Sequence, residues 1–119
     1  MSARMHLSPA QDAHPREPGA EQYALAAETL GLLADRTRLR LLHALGRQEA
    51  DVGTLTGLCG AARPAVSQHL AKLRLAGLVT VRKEGRRMIY GLADGHLRRV
   101  VDEALNLADH RLSGARPHD

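Results

Sequence analysis

Residues 63–77, which read RPAVSQHLAKLRLAG, decide the fold of this chain. Pro64 is expected at the first helical position, because the N–H that it lacks would have no partner there. Gly77 is the residue type that ends a helix in a left-handed conformation. Apolar residues recur three and four apart and predict one buried stripe, formed by Val66, Leu70 and Leu73. The opposite side has no acid and presents Gln68, Ala71, Lys72 and Leu75, flanked by Ala65 and Ser67. Such a face fits a DNA major groove.

The residues just before this helix predict a second, shorter one. Val52, Leu55 and Leu58 recur at three-residue spacing within residues 51–59, and Gly60 follows. Only the turn at residues 60–63 separates the two helices. Two short helices joined by so tight a glycine-containing turn make a helix-turn-helix.

After Gly77 the pattern changes to β-prone residues. Residues 78–82 and 88–92 are typical of two strands, and residues 83–87, KEGRR, predict a Gly-containing hairpin loop between them. A basic hairpin directly after a helix-turn-helix is a wing, whose expected role is to contact phosphates while the helix reads bases. An ordinary solvated turn is the alternative.

Three further helices complete the expected domain at residues 21–112. The first covers residues 21–34 and is apolar on two sides, which predicts contacts with both the core and a partner. The second begins after a cap at Asp35 or Thr37 and ends at Gly46. The last begins after Asp94 and ends near Leu112, with an apolar stripe that favours dimerisation. Residues 1–20 and 113–119 are expected to be flexible tails.

The amino-acid composition restricts the classes of function that this chain can have. The chain has a net charge of +4, and residues 63–92 hold seven Lys or Arg against Glu84 alone, a footprint for phosphate unless it is only a solvated basic face. With no Trp or Phe and two Tyr, the chain has almost no aromatics on which single-stranded nucleic acid would stack. No nucleophile–base constellation or phosphate loop suggests an enzyme. One cysteine and no apolar run of about 20 residues favour a reducing, cytoplasmic location.

Three segments resemble the ArsR/SmtB family of winged-helix metal-sensing repressors. They are residues 33–45, LADRTRLRLLHAL; residues 65–79, AVSQHLAKLRLAGLV; and residues 86–94, RRMIYGLAD. The resemblance covers about residues 23–110. It implies a mainly α, winged helix-turn-helix protomer of order α1-α2-α3-α4-β-β-α5, and a homodimer on palindromic operator DNA.

The resemblance also suggests how DNA is contacted. Ser67 and Gln68 match the family's base-proximal positions, and Arg63 precedes them at the start of the helix. The face analysis independently favours Gln68, which suits adenine. The remaining cations are better suited to phosphates, namely Lys72, Lys83, Arg86 and Arg87.

The last helix carries two widely spaced histidines. His96 and His110 are fourteen residues apart, about 21 Å along a helix, but only about 40° apart around it. They therefore cannot hold one ion within a protomer. In an antiparallel pair of these helices, His96 of one chain meets His110 of the other, giving two sites per dimer.

This arrangement matches the family's last-helix metal site. Asp94, His96 and His110 occupy three of its four positions, and the fourth falls on Leu107, which has no donor atom. Residues 106–119 resemble the nickel- and cobalt-sensing KmtR branch, which implies Asp109, His110 and the tail residue His118 as further ligands; Asp119 stands where a histidine is usual. Nickel or cobalt is favoured if five or six N/O ligands bind, and zinc is possible.

We therefore expect a repressor that binds its operator as the apoprotein and releases it when metal binds. Alternatives remain open at this point. Asp94 would cap a helix without metal, and a histidine near a helix C-terminus is favourable by itself. Cys59 is either a buried small hydrophobe or a redox sensor. A winged helix used only for protein–protein contact is the third alternative.

Overall fold

The computed structural model describes residues 17–115. Its elements, in chain order, are α1 (Ala20–Leu33), α2 (Arg36–Arg47), β1 (Ala50–Asp51), α3 (Val52–Cys59), α4 (Arg63–Leu75), β2 (Val79–Glu84), β3 (Arg87–Leu92) and α5 (Gly95–Ala115). The expected order of five helices and a hairpin is confirmed. The expected tails at 1–20 and 113–119 lie mostly outside the described residues, but α5 extends three residues beyond Leu112. None of the described helices combines the length and apolarity needed to cross a membrane.

Local capping explains where the helices begin and end. Asp35 rather than Thr37 caps α2, since its Oδ2 accepts the backbone N–H of Arg38 at 2.9 Å. Asp94 caps α5 in the same way, accepting the N–H of Leu97 at 3.1 Å. Gly60 and Gly77 follow α3 and α4 with φ of 64° and 80°, the left-handed region that glycine enters without strain. Pro64 is the second residue of α4, one position later than expected.

The sheet has three strands rather than two. All pair antiparallel in the order β1-β3-β2, and β1 is a two-residue strand that no periodicity announces. The hairpin loop is shorter than expected, because Glu84 pairs directly with Arg87 and only Gly85 and Arg86 form the turn. Gly85 has a φ of 63°, as a two-residue turn with glycine at its first position requires.

The core is aliphatic, as the composition indicates. The apolar side of α4 lies at its centre, since Val66, Leu70 and Leu73 are all fully buried. They pack with buried residues of α2, α3, β2 and the first turns of α5. The described part of α5 therefore divides in two. Leu97 and Val101 belong to the core, whereas other large apolar residues stay exposed, namely Val100, Leu105, Leu107 and Leu112.

The described residues separate into two compact units, which meet in sequence between Gly31 and Leu32. The first unit contains most of α1, where Tyr23, Leu25 and Leu30 are 55–64% exposed. An isolated helix with exposed apolar residues on more than one side needs a partner surface to bury them.

We expect the substitution Leu70→Ala to lower the free energy of unfolding by about 2–5 kcal/mol, because it leaves a cavity at the centre of the core. Leu75→Ala is the matched control on the same helix, since Leu75 is 92% exposed, and it should change stability by less than about 0.5 kcal/mol. Urea unfolding at one fixed protein concentration measures both. Equal effects of the two substitutions would contradict the assigned faces of α4.

Candidate DNA interface and candidate metal site

Helix α4 presents its expected reading face to solvent. Ser67, Gln68 and Lys72 are exposed, and Arg63 is exposed in the first turn. Gln68 and Lys72 are four residues apart and so neighbour each other on the helix surface. The face opposite the core thus carries an amide, a hydroxyl and cations, which are donors and acceptors suited to base edges and phosphates.

His69 lies at the border between the two faces and contacts the start of α2. Its Nδ1 is 3.2 Å from Nη1 of Arg38, and its Nε2 is 3.9 Å from Oδ2 of Asp35. Arg38 also donates to the carbonyl oxygen of Leu32, and its backbone N–H is the main cause that lowers the pKa of the Asp35 carboxyl. This half-buried group holds α4 to α2 and leaves His69 out of the reading face.

The first turn of α4 has no side-chain cap. Ala62 precedes the helix and has no acceptor to offer, and Pro64 has no N–H. The N–H groups of Arg63 and Ala65 therefore have no side-chain acceptor among the described residues. Unsatisfied N–H groups at a helix start favour an anion, so this end of α4 suits a DNA phosphate.

The cations of the hairpin fall into two groups. Arg82 is paired with Glu49 at 3.1 Å and with Glu84 at 2.6 Å. Arg87 donates from Nε to Oδ2 of Asp51 at 2.9 Å. The other two hairpin cations, Lys83 and Arg86, are exposed and form no ion pair with any described carboxylate. The seven-to-one charge count therefore overstates the free positive charge, because acids from β1 and the segment before it meet the hairpin.

Asp51 makes two contacts at once. Its Oδ1 accepts the N–H of Thr54 and caps α3, while its Oδ2 accepts from Arg87. The backbone N–H of Thr54, followed by the hydroxyl of Thr54 and by Arg87, lowers the pKa of Asp51 to about 2. Sequence reasoning places Asp51 at the start of α3 but misses its second contact, which joins residues 36 positions apart.

A groove joins the start of α4 to the hairpin. Its volume is about 270 Å³. Arg63 and Arg86 both line it, together with Arg87 and the neutralising Asp51. Side chains distant in sequence thus meet on one surface, where a phosphate backbone would lie beside a helix that enters the major groove.

The expected metal ligands lie along α5. Asp94 and His96 are at its start and Asp109 and His110 are near its end, all four exposed. Within the described residues of one protomer, no three His, Cys, Asp or Glu side chains lie close enough to hold a metal ion. A site that draws on two protomers thus stays a prediction, and His118 lies outside the described residues.

His96 already has a partner. Its Nδ1 is 2.6 Å from Nη2 of Arg99, and a guanidinium has donors but no acceptor. Arg99 therefore donates to Nδ1, which leaves the proton of a neutral ring on Nε2. Neither ring nitrogen then offers a free lone pair, so a metal ion must displace Arg99 before it binds His96.

The donor set otherwise fits a divalent transition metal. Oδ1 of Asp94 is used by the helix cap, but Oδ2 remains available, and imidazole with carboxylate suits nickel, cobalt and zinc. Cys59 is different, because it is 3% exposed and burial raises the pKa of its thiol. A buried thiol with a raised pKa is a poor metal ligand and a poor redox sensor.

Comparisons with known proteins agree with this geometry. Residues 35–81 match the family model described as bacterial regulatory protein, arsR family. The transcriptional regulator KmtR of Mycobacterium tuberculosis is 38% identical over 107 residues, which are 90% of this chain and 82% of that protein. A transcriptional repressor SmtB homolog of Synechocystis is 38% identical over 106 residues, covering 89% and 78% of the two chains.

Solved structures show the same fold. HlyU from Vibrio cholerae has a TM-score of 0.70 at 32% identity, covering 75% of this chain and 97% of that one. The homodimeric winged helix-turn-helix DNA-binding domain Mb0332 from Mycobacterium bovis has a TM-score of 0.71 at 25% identity, covering 99% and 100%. With the helix-turn-helix, the basic hairpin and these likenesses together, the chain belongs to the ArsR family of bacterial regulatory proteins.

Proposed function

We propose that this protein is a homodimeric transcriptional repressor that binds palindromic operator DNA as the apoprotein and releases it when a divalent metal binds between its protomers. The proposal that the protein binds DNA rests mainly on the surface shared by α4 and the hairpin. There, Ser67 and Gln68 are exposed on α4, and Arg63 and Arg86 line the groove between α4 and the hairpin. A regulator of this kind would act in the cytoplasm, and no enzymatic role is proposed.

The side chains of the DNA interface have distinct roles. Gln68 pairs with adenine through its amide, and Ser67 addresses a neighbouring base. Cations contact phosphates and supply most of the affinity; these are Arg63, Lys72, Lys83 and Arg86. A phosphate contact by Arg87 stays a prediction from the sequence. It is not part of this proposal, because the guanidinium of Arg87 already donates to Asp51.

Dimerisation is supported by the exposed apolar residues of α1 and α5. Leu105, Leu107 and Leu112 follow the part of α5 that packs on the core, and the similar domain from M. bovis is homodimeric. A twofold axis beside α5 buries these residues. It also presents two copies of α4 to successive major grooves of a palindrome.

Metal binding is proposed at both ends of the paired α5 helices. Asp94 and His96 of one protomer and Asp109 and His110 of its partner supply carboxylate and imidazole donors, with His118 as a further ligand. Five or six such donors favour nickel or cobalt, while four would suit zinc. The bound ion supplies a fixed link between protomers. Metal and DNA binding are then coupled reciprocally, by about 1–3 kcal/mol.

The alternatives have less support. Redox sensing through Cys59 would require access to a thiol that is 3% exposed. A winged helix used only for protein–protein contact does not explain why polar and cationic side chains line the face of α4 opposite the core.

We expect Gln68→Ala to weaken operator binding by at least about 30-fold and to relax the preference at one base pair of each half-site, because the homodimer loses two bidentate base contacts, each of about 1–3 kcal/mol. Lys72→Gln should weaken binding to operator and unrelated DNA equally, and lower the slope of log affinity against log salt by about two, one for each protomer of the dimer. Fluorescence anisotropy on a palindrome obtained by in vitro selection measures both. Gln48→Ala, an exposed glutamine at the end of α2, is the control. A Gln68→Ala protein that behaves like this control would contradict the assigned reading face.

We expect nickel, cobalt or zinc to weaken operator binding about 5- to 150-fold, the effect of a coupling of about 1–3 kcal/mol.

His96→Ala and His110→Ala should each lose metal affinity by at least about 100-fold, since even a residue that only supports a ligand contributes about 10–100-fold. A heterodimer of one His96→Ala chain and one His110→Ala chain should regain one intact site, because both substitutions fall in the same site.

Differently tagged chains allow this heterodimer to be purified, and competition with a chromophoric chelator counts the ions bound. The expected stoichiometry is two ions per wild-type dimer, none for either variant homodimer and one for the heterodimer. His43→Gln, on α2, should retain two. A heterodimer that binds no metal would refute a site shared between protomers, and operator binding that ignores all three metals would refute the sensing role.

We expect Arg99→Ala to raise metal affinity about two- to tenfold. The substitution removes the donor that occupies Nδ1 of His96. The metal then no longer has to break this hydrogen bond, which contributes about 0.5–1.5 kcal/mol. Arg98→Ala is the matched control, since Arg98 pairs with Asp102 at 3.7 Å instead. The same chelator competition compares the two. An equal rise in both variants would show a general charge effect rather than displacement of Arg99.

A further inference from the structure

The outer face of the sheet carries a cluster of five charged side chains, here called the outer ionic cluster. Its members are Glu49, Asp51, Arg82, Glu84 and Arg87. Three ion pairs at 2.6–3.1 Å join them in two neighbouring groups, Arg82 with Glu49 and Glu84, and Arg87 with Asp51. Two of the three join the hairpin to the segment that leads into α3. These two pairs therefore add side-chain links between the wing and the helix-turn-helix to the backbone pairing of β1 with β3.

Strand register places this cluster away from the core. Arg82 and Asp51 both pair with Ile89, and Glu84 pairs with Arg87 in the next outer row. Directly opposed residues of antiparallel strands share a face, so Ile89 lies among the cluster. It is 5% exposed, although it does not belong to the central apolar cluster that surrounds α4. The stems of the long charged side chains are the natural cover for it.

The other face of the hairpin has a different composition. Val81 pairs with Tyr90, and Lys83 pairs with Met88. Tyr90 packs against the core, so Lys83 lies on the core-facing side of the hairpin, near its tip. Arg86 lies in the turn itself and lines the groove with Arg63. The cations of the wing are thus sorted by strand alternation into a paired outer set and an unpaired set at the tip and core-facing side.

These pairs are too exposed to matter much for stability. Side chains of Arg82, Glu49 and Glu84 are 52–55% exposed, and Arg87 is 57% exposed. Exposed ion pairs stabilise a fold by about 0–1 kcal/mol each. A geometric role is more consistent with two fork-shaped guanidiniums, each held by a carboxylate from outside its own strand. The raised pKa of Arg82 and the lowered pKa of Glu84, both caused first by their mutual hydrogen bond, agree with firm pairing.

We infer that Arg82 and Arg87 are positioning residues, which set the orientation of the wing relative to α4 through Glu49 and Asp51, while Lys83 and Arg86 contact phosphate. This inference rests on the proposed DNA-binding function. If the inference holds, these carboxylates change DNA affinity in the direction opposite to the usual one. Carboxylates beside a phosphate-binding surface ordinarily weaken DNA binding, but those of the outer ionic cluster strengthen it.

The substitution Asp51→Asn tests directly whether this carboxylate strengthens or weakens DNA binding. Asparagine caps a helix as well as aspartate does, so the start of α3 is retained while the ionic contact with Arg87 is weakened. We expect operator affinity to fall about three- to tenfold, at the low end of the range for coupled contacts within one network, with an unchanged salt slope. If Arg87 instead contacts phosphate, the substitution would free it. Affinity would then rise and the slope would steepen by about two, one for each protomer, which would overturn the inference.

A double-mutant cycle separates positioning from simple loss of charge. Arg87→Gln and the double variant Asp51→Asn/Arg87→Gln should both match Asp51→Asn in affinity and salt slope, because each breaks the same link. Arg86→Gln should lower the slope by about two, because each protomer loses one phosphate contact. Glu21→Gln, an exposed acid in the first turn of α1, controls for net charge and should not weaken binding. Additive losses in the cycle would contradict the inference.

Folding is checked by urea unfolding of every variant. Glu49→Gln is the second probe, because it weakens the tie to Arg82 without touching the cap of α3, and it should also weaken operator binding. Failure of the wild-type protein to bind any selected duplex would refute the proposed function. Wild-type binding together with tighter binding by Asp51→Asn and Glu49→Gln would refute the positioning role alone.

Discussion

Burial of one side of α4 is the constraint on which the other features depend. Val66, Leu70 and Leu73 are fully buried, and a helix that buries one stripe must expose the opposite one. The exposure of Gln68 and Lys72 is therefore a consequence of core packing. The tight turn at Gly60 and the contact of His69 with Arg38 then fix α4 against α3 and α2. The stability of the domain and the presentation of its reading face have the same physical cause.

Electrostatics in this protein is organised by strand alternation more than by net charge. Arg82 and Lys83 are adjacent in sequence, but their side chains lie on opposite faces of β2 because strand residues alternate. Arg82 meets Glu49 and Glu84 on the outer face, whereas Lys83 meets no described carboxylate. A basic segment is thus divided into cations that pair with carboxylates of the protein and cations that meet no described carboxylate, which are the proposed phosphate contacts.

Local chemistry made much of the fold predictable. The caps at Asp35 and Asp94 and the glycines at 60 and 77 act over a few residues, so the helix ends follow from short patterns. The buried stripe of α4 follows in the same way from its spacing. Strand β1 is not predictable in this way, because two residues carry no periodicity. Ala50 and Asp51 become a strand only by pairing with β3. The contacts of Arg87 with Asp51 and of Arg82 with Glu49 join residues 36 and 33 positions apart, and no local pattern records them. The sequence therefore indicates a basic group as a whole, but not its division into paired cations and cations without a described carboxylate partner.

The two-residue turn at Gly85 and Arg86 has a consequence for the thermodynamics of recognition. A long basic loop would lose conformational freedom each time it settled on a phosphate backbone, at about 1–2 kcal/mol for each residue that becomes ordered. Here Lys83 lies within a paired strand, and Arg86 lies in a turn closed by the pair of Glu84 and Arg87. Most of that entropy is already lost when the protein folds. The wing therefore meets DNA as a rigid arm, so that less of the favourable energy of its phosphate contacts is spent on ordering the chain.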